Sequence, residues 1–383
     1  MEKVIDPTAQ VNLWFDYDNV LSLYWNAIFS RFTPGKSFYG SNDSTGMPGF
    51  RSGINMYFDK DQLRMETRMY TADPAMSKMG TNIYQSRQSA GMLNYINPDH
   101  LALLSISNNT QASINYTYTL LRRYLTNTPF MKEYSDVVDV YIDLLETLVD
   151  EKGISDLIPG NYLFILHGLQ QQETTYTDYE YDSNFNRTEV KKTKKELMPD
   201  FTFAFETRRE DFMKKLAKLP LKFAEKEKIP YKQIGDYFVY EFEPGKYPLR
   251  NLYFIVKNGR VVITTSKDAL DVSLNNGSLN PDTAIRNLVS QHNYLFHINT
   301  SRVLEKVKSE IPDGRYREVA EYLDTQVGDI QMKSFLDGDV INGISTIKIK
   351  GDHSNSFEAI FNMIEGINKI MERREEADKK VLQ

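Results

Sequence analysis

The chain has 383 residues, with 46 Lys plus Arg against 52 Asp plus Glu and a formal charge of −6. Apolar residues make up 41% of it, enough for a sizeable core, which excludes wholesale disorder. A mildly acidic chain has no bulk attraction for nucleic acid or an anionic membrane, and the absence of cysteine removes disulfides, thiolate metal sites and a cysteine nucleophile.

The opening residues, MEKVIDPTAQVNLWFDY, contain no apolar h-region, so no signal peptide is expected in them. No later stretch approaches the roughly 20 apolar residues that span a bilayer. Residues 11–17 alternate as a strand and lead into an amphipathic helix, DNVLSLYWNAIF, with Asp18 placed to cap it. Residues 33–52, rich in Gly, Ser and Pro, read as an exposed loop, and INMYFDKDQLRMETRMY then reads as a hairpin. Strand 101–107 precedes a helix that aligns Ile114, Tyr118, Leu121 and Leu125. A further helix over 137–149 is expected to bury Val137, Tyr141, Leu144 and Leu148.

Residues 170–199 read as a projecting hairpin. A turn centred on Asn184-Phe185 sets Asp182 opposite Arg187 and Asp178 opposite Lys191, with Tyr179, Tyr181, Thr188 and Val190 on one face. Exposed tyrosines supply contact area at low entropic cost, so Tyr176, Tyr179, Tyr181 and Phe185 are the candidate partner-binding residues. The plainer alternative is a solvated hairpin whose charges block edge-to-edge aggregation.

Strand 201–207 sets Phe201, Phe203 and Phe205 on one face, and its helix aligns Phe212, Leu216, Leu219 and Phe223 to cover a sheet. Thr207 with Glu210 fits a capping box. Asn258-Gly259 is the strongest hairpin signal, since both residues tolerate the positive φ of a type I′ turn. Strand 294–300 precedes another helix, and a hairpin turning at Asp337-Gly338 leads to the last one. There Phe357, Ile360, Phe361, Ile364, Ile367 and Met371 align behind a cap at Asn355 or Ser356, and the charged tail past Arg373 is expected to fray.

A strand followed by a helix thus begins at 11, 101, 201 and 294. The expected fold class is α+β: repeated β-α-β-β units, largely antiparallel sheets covered by amphipathic helices, one pair over 1–199 and a second over 200–383.

Catalytic motifs fail one by one. Gly35-Lys36-Ser37 looks like the end of a P-loop, but Ser30 stands where the first glycine belongs. A calcium loop from Asp337 has Ile341 and Asn342 at its fifth and sixth positions and Lys348 at its twelfth. The five histidines, His100, His167, His292, His297 and His353, form no metal-binding spacing, and a strand register puts His292 and His297 on opposite faces. Asp16 and Asp18 read as a strand end and a cap. No G-x-S-x-G elbow is present. No catalytic, cofactor-binding or metal residue is therefore expected, and no cofactor.

The order IPGNYLFILHGL, PDFTFAFETRREDFMKKL, GDYFVYEF and YFIVKNGRVVITTSKDAL resembles an uncharacterised lipoprotein family of Bacteroidetes-type Gram-negative bacteria, a domain of unknown function. The overlap runs from about Leu101 to the C-terminus and more loosely over the first hundred residues. The resemblance implies export to the periplasm or outer membrane, with membrane contact only through an N-terminal lipid anchor, whose cysteine this sequence lacks. It supplies no catalytic residues. The leading expectation is a non-enzymatic extracytoplasmic module that binds a protein or glycan partner and no nucleic acid. The alternatives are a hydrolase of envelope or glycan material with a site assembled from distant residues, and a structural or assembly subunit.

Overall fold

Alternation decides the strands in the computed structural model, which describes residues 4–17, 20, 49–84, 87–127, 134–181, 185–243, 249–309, 311 and 314–381. Near the N-terminus lie β1 (Val11–Asp16), β2 (Phe50–Phe58) and β3 (Gln62–Thr71), followed by helices α1 (Pro74–Ile83) and α2 (Ala90–Leu93). Strand β4 (Ala102–Ser107) precedes α3 (Thr110–Asn127), α4 (Ser135–Leu148) and α5 (Glu151–Leu157), then the long strands β5 (Asn161–Tyr181) and β6 (Arg187–Glu206). Helices α6 (Glu210–Lys218) and α7 (Leu221–Glu227) lead to β7 (Tyr231–Ile234), β8 (Tyr237–Glu241), β9 (Asn251–Lys257) and β10 (Arg260–Thr264). After α8 (Lys267–Asn275) and α9 (Thr283–Gln291) come β11 (Tyr294–Ile298), α10 (Thr300–Lys308), α11 (Arg315–Gln326), β12 (Val327–Asp337), β13 (Val340–Ile349) and α12 (Ser356–Val381).

All these strands join one sheet in the order β1-β2-β3-β13-β12-β11-β4-β5-β6-β10-β9-β8-β7, and the neighbours are antiparallel. With 40% helix and 36% strand the fold is α+β, and the antiparallel ladder separates it from doubly wound sheets. Apart from the edge strand β7, the order is symmetric about the central β11–β4 pair. Outward on one side run β4-β5-β6 and then β10-β9-β8; on the other run β11-β12-β13 and then β3-β2-β1. Each half of the chain therefore lends strands to the other, β1–β3 beyond β13 and β7–β10 beyond β6: β3 pairs with β13, and β10 with β6. The expected division at 199/200 lies inside β6.

The main core fills one face. Leu103, Leu163, Ile165, Ala204, Ile255, Val262 and Leu295 point from the sheet onto Met92 of α2, Ala269 and Leu270 of α8 and Val289 of α9. Adjacent residues of opposite parity, Val256 and Val261, pack with Met213 of α6, and Leu157 and Phe205 lie against them, so this part of the sheet is covered on both faces. Phe201, Phe203 and Phe205 do share a face, but it is the half-exposed one. Thr202 and Ala204 between them are fully buried.

Local turn chemistry holds where expected. Asn258 and Gly259 both take positive φ between β9 and β10. The β12–β13 turn falls one residue later than expected, on Gly338-Asp339, and is an ordinary two-residue hairpin. At the other end, the residues before β1 are clamped to β2. Asn55 accepts from Asp6 N and donates to Val4 O, and Tyr57 Oη donates to Asp6 at 2.7 Å. Gly53 permits this approach, since a Cβ there would sit 2.1 Å from the Val4 carbonyl oxygen.

Several expectations are corrected. Residues 201–206 are not a separate strand; they are the end of β6, which has already run beside β5, and Thr207 follows it. The stripe Val137, Tyr141, Leu144 and Leu148 is not buried but 65, 56, 52 and 71% exposed, because α4 seats Val138 and Ile142 instead. Phe212, Leu216, Leu219 and Phe223 are likewise exposed, while the smaller Ala217 and Ala224 and the flexible Met213 face the sheet. Thr207 and Glu210 form no capping box: Thr207 Oγ1 accepts from Arg209 N, and Glu210 accepts from Gly259 N on the β9–β10 turn. The last helix does not fray at Arg373 but continues to Val381, with Arg373 and Arg374 both on Glu318. Asn355, not Ser356, caps it, accepting from Glu358 N at 3.0 Å. The helix expected after β1 with its cap Asp18, most of the loop 33–52 including Gly35-Lys36-Ser37, and Asp182 and Asn184 of the hairpin tip lie outside the described residues.

Candidate functional site

Three features stand out from the fold, and the first is the β5–β6 arm. β5 pairs with β4 only through Leu166, and β6 meets β10 only from Thr202 onward. Among the described residues, the two strands between these limits and the tip pair with each other alone, from Gly168↔Asp200 to Tyr181↔Arg187. The stretch beyond Gln172 projects about 30 Å.

The register is one residue off the expected one. Asp178 lies opposite Val190 and Tyr179 opposite Glu189, so Asp178 pairs diagonally with Lys192 at 2.7 Å instead of facing Lys191. A one-residue shift moves every side chain to the other face. Tyr179 and Tyr181 consequently share a face with Glu189 and Arg187, not with Val190 and Thr188, and the Arg187 guanidinium lies 3.3 Å from the centroid of the Tyr179 ring. Tyr176 occupies the opposite face beside Lys194. Phe185 takes a positive φ at the tip and is 87% exposed. The arm thus brings together Tyr179, Tyr181 and Arg187, and sets Tyr176 apart.

The second feature is a pair of open polar cavities. One, of about 490 Å³, lies where the arm leaves the sheet, between Gln170, Asp200, Arg250, Tyr253, Lys267 and Asp268. Burial holds the Asp200 carboxyl above its usual range, and the nearby Asp268 adds to that. The other, of about 580 Å³, is lined by Asn109, Lys152, Asp156, Asn161, Glu206 and Arg208. Its two carboxylates are engaged: Arg208 donates to Asp156 at 3.3 Å, and Asn161 to Glu206 at 2.6 Å.

The third was missed in the sequence: a buried polar chain across the middle of the sheet. Asn97 O accepts from His100 Nδ1 at 2.8 Å, which leaves His100 Nε2 to accept from His297 Nδ1 at 3.0 Å. His297 Nε2 faces Asp329 at 3.7 Å. On the other side, Asn97 Oδ1 meets His167 Nδ1, whose Nε2 lies 2.7 Å from Thr202 Oγ1, itself 2.8 Å from Thr264 Oγ1. Strands β11, β5, β6 and β10 are linked in this way.

Burial dominates the ionisation of all three histidines. It pushes the His167 imidazole down to about 4, with His100 reinforcing it, and lowers His100 and His297 against the pull of Asn97 and Asp329 respectively. They are neutral at pH 7. Neither polar cavity is lined by them, and His100 is 2% exposed, so the chain of hydrogen bonds is a structural tie. His292 takes no part, packing edge-to-face on Phe335. Among the described residues no group of three His, Asp or Glu side chains is disposed to hold a metal, and no helix is long and apolar enough to cross a membrane.

No family model, curated protein or solved structure matches this chain. The reading of its function rests on its own geometry.

Proposed function

We propose that this chain is a non-enzymatic binding module that works outside the cytoplasm, in the periplasm or at the outer membrane, and engages a protein or glycan through the β5–β6 arm. The observation that carries the reading is the arm itself: a ribbon that, among the described residues, is held by no neighbouring strand and presents Tyr176, Tyr179, Tyr181 and Phe185 to solvent. Ordered aromatic side chains lose little entropy on contact, and the Arg187–Tyr179 stack fixes one of them in advance. The polar cavity at the base of the arm extends the same surface.

The finer reading of the fold, a reuse of β-α-β-β units, belongs with this proposal. It is supported by β4 and β11, each of which leads into helices and then into two strands that meander away from the centre. The competing reading, an envelope or glycan hydrolase, draws on Asp156 and Glu206 in one cavity. Their engagement by Arg208 and Asn161 weighs against it.

The test replaces all four aromatics at once, Y176S/Y179S/Y181S/F185S, in the full chain. Photo-crosslinking to a cell-envelope extract and a glycan array are then compared with the parent. The parent is expected to engage a discrete partner that the variant loses, at an unchanged melting temperature. A variant that keeps every interaction of the parent overturns the role of the arm.

A further inference from the structure

The arm is pinned where it leaves the sheet. The β5–β6 ladder shifts register between Leu166 and Gly168, so His167 sits in a bulge just beyond the last residue that β5 pairs with β4. Its ring turns inward and is buried, 2.7 Å from Thr202 Oγ1 and 3.3 Å from Asn97 Oδ1. Thr202 is in turn the residue at which β6, coming from the arm, first pairs with β10. One side chain therefore holds both strands of the arm to the body, β5 directly and β6 through Thr202. Gly168 follows, and a Cβ there would meet nothing within 4 Å. The root has a seat on one side and open space on the other.

A neutral imidazole fits this seat, one ring nitrogen donating and the other accepting. An imidazolium does not. The Thr202 hydroxyl can turn to accept its second N–H, but the charge would lie buried beside His100, which opposes it. The neighbouring acids are committed elsewhere: Asp282 caps α9 at Ile285 N, Asp329 faces His297, and Asp99 pairs with Arg302. Asp200, across the ladder from Gly168, is held toward its neutral form by burial and by Asp268, so in acid it gains a proton instead of balancing one. Arg302 beside His100 and Lys348 beside His297 add positive charge, and Arg250 and Lys267 line the cavity on the Asp200 side.

We propose that His167 is a latch for the arm that acid opens: neutral, it fixes the angle at which the ribbon leaves the sheet; protonated, it turns out to water and frees the ribbon to swing at Gly168. The outward turn gives the charge its hydration at the cost of two hydrogen bonds at the bulge, while the β5–β6 ladder beyond stays paired. With a ribbon of about 30 Å as the lever, a turn of about 20° at the root carries the tip about 10 Å. The inference stands whether or not the arm binds a partner. On the reading above, a partner spanning the arm and the cavity at its base would be released by the same motion.

The sequence has no cysteine, so two introduced ones report alone. In the full chain, nitroxides on T188C of the arm and D271C of α8 give the distance from arm to body by pulsed electron resonance. Spectra are taken from about pH 7 down to about pH 4, beside near-ultraviolet circular dichroism of the same samples. The parent is expected to show one narrow distance at neutral pH that broadens and shifts by about 5 Å or more in acid while the dichroism holds. H167Q, which keeps a donor and an acceptor but takes up no proton, should stay narrow throughout. H167A, and T202V from the β6 side, should be broad already at neutral pH. A parent whose distance holds in acid overturns the proposal, as does a shift that comes only with loss of the dichroism. So does an H167Q that moves as the parent does, or H167A and T202V that both stay narrow.

Discussion

His167 gives the sharpest handle on stability at the scale of single residues. Its folded-state value of about 4 lies below the ordinary 6.5, so between those limits the unfolded chain takes up a proton that the folded chain refuses. The stabilisation is complete above about pH 6.5 and is lost as the pH falls toward 4. For His167 alone this amounts to about 2 kcal/mol between pH 7 and pH 5, and His100 and His297 act in the same direction. Urea unfolding of the parent at these two pH values should show that loss, and H167Q should show a flatter dependence on a lower plateau. A variant whose loss parallels that of the parent would assign the acid sensitivity to other groups. No motif scan finds this chain of contacts, because its members lie 35, 70 and 197 residues apart and meet only when strands from both halves align. Strand alternation sets His297 on the face opposite Tyr294, Phe296 and Ile298, and it is the His297 face, shared with Leu295, that is buried. By contrast, the Asn258-Gly259 turn is decided by the backbone freedom of two neighbours and was legible at once.

At the scale of elements, a periodic stripe reveals that a helix is amphipathic without saying which side meets the sheet. Helix α4 packs on α3 through Val138 and Ile142, α6 seats Met213 and Ala217, and the longer stripes turn outward. The arm illustrates the same limit in a strand. Its existence is written in alternation and turn residues, yet its register depended on the length of the tip, and an error of one residue exchanged its faces. Because the arm contacts little beyond itself, deletion of residues 173–189 should leave the melting temperature of the remaining fold within a few degrees of the parent. Calorimetry checks this. A large drop would mean that the ribbon shields the cavity at its base, where Met198 is buried and Asp200 meets Thr265.

At the scale of the whole molecule, the decisive property is the exchange of strands between halves. A chain divided near its middle into independent domains would unfold in two steps. Here the main core takes Met92, Leu103, Leu163 and Ala204 from before Thr207 and Ile255, Val262, Val289 and Leu295 from after it. Neither half can bury these side chains alone, and β6 and β13 would each lose a paired edge. Thermal unfolding of the intact chain should therefore be one cooperative transition. If the chain is opened in the turn after β6 and expressed as residues 1–208 and 209–383, each piece should be unfolded or aggregated by itself. Co-expressed, the two should assemble into one complex with the circular dichroism of the intact protein, since the β11–β4, β3–β13 and β10–β6 ladders all cross between them. A single piece that folds unaided would mean that the sheet is two separable units laid edge to edge. The central polar chain argues against that outcome: it runs from His297 in the second half through His100 and His167 in the first to Thr264 in the second again. Opening the sheet at its centre would leave those buried groups without partners.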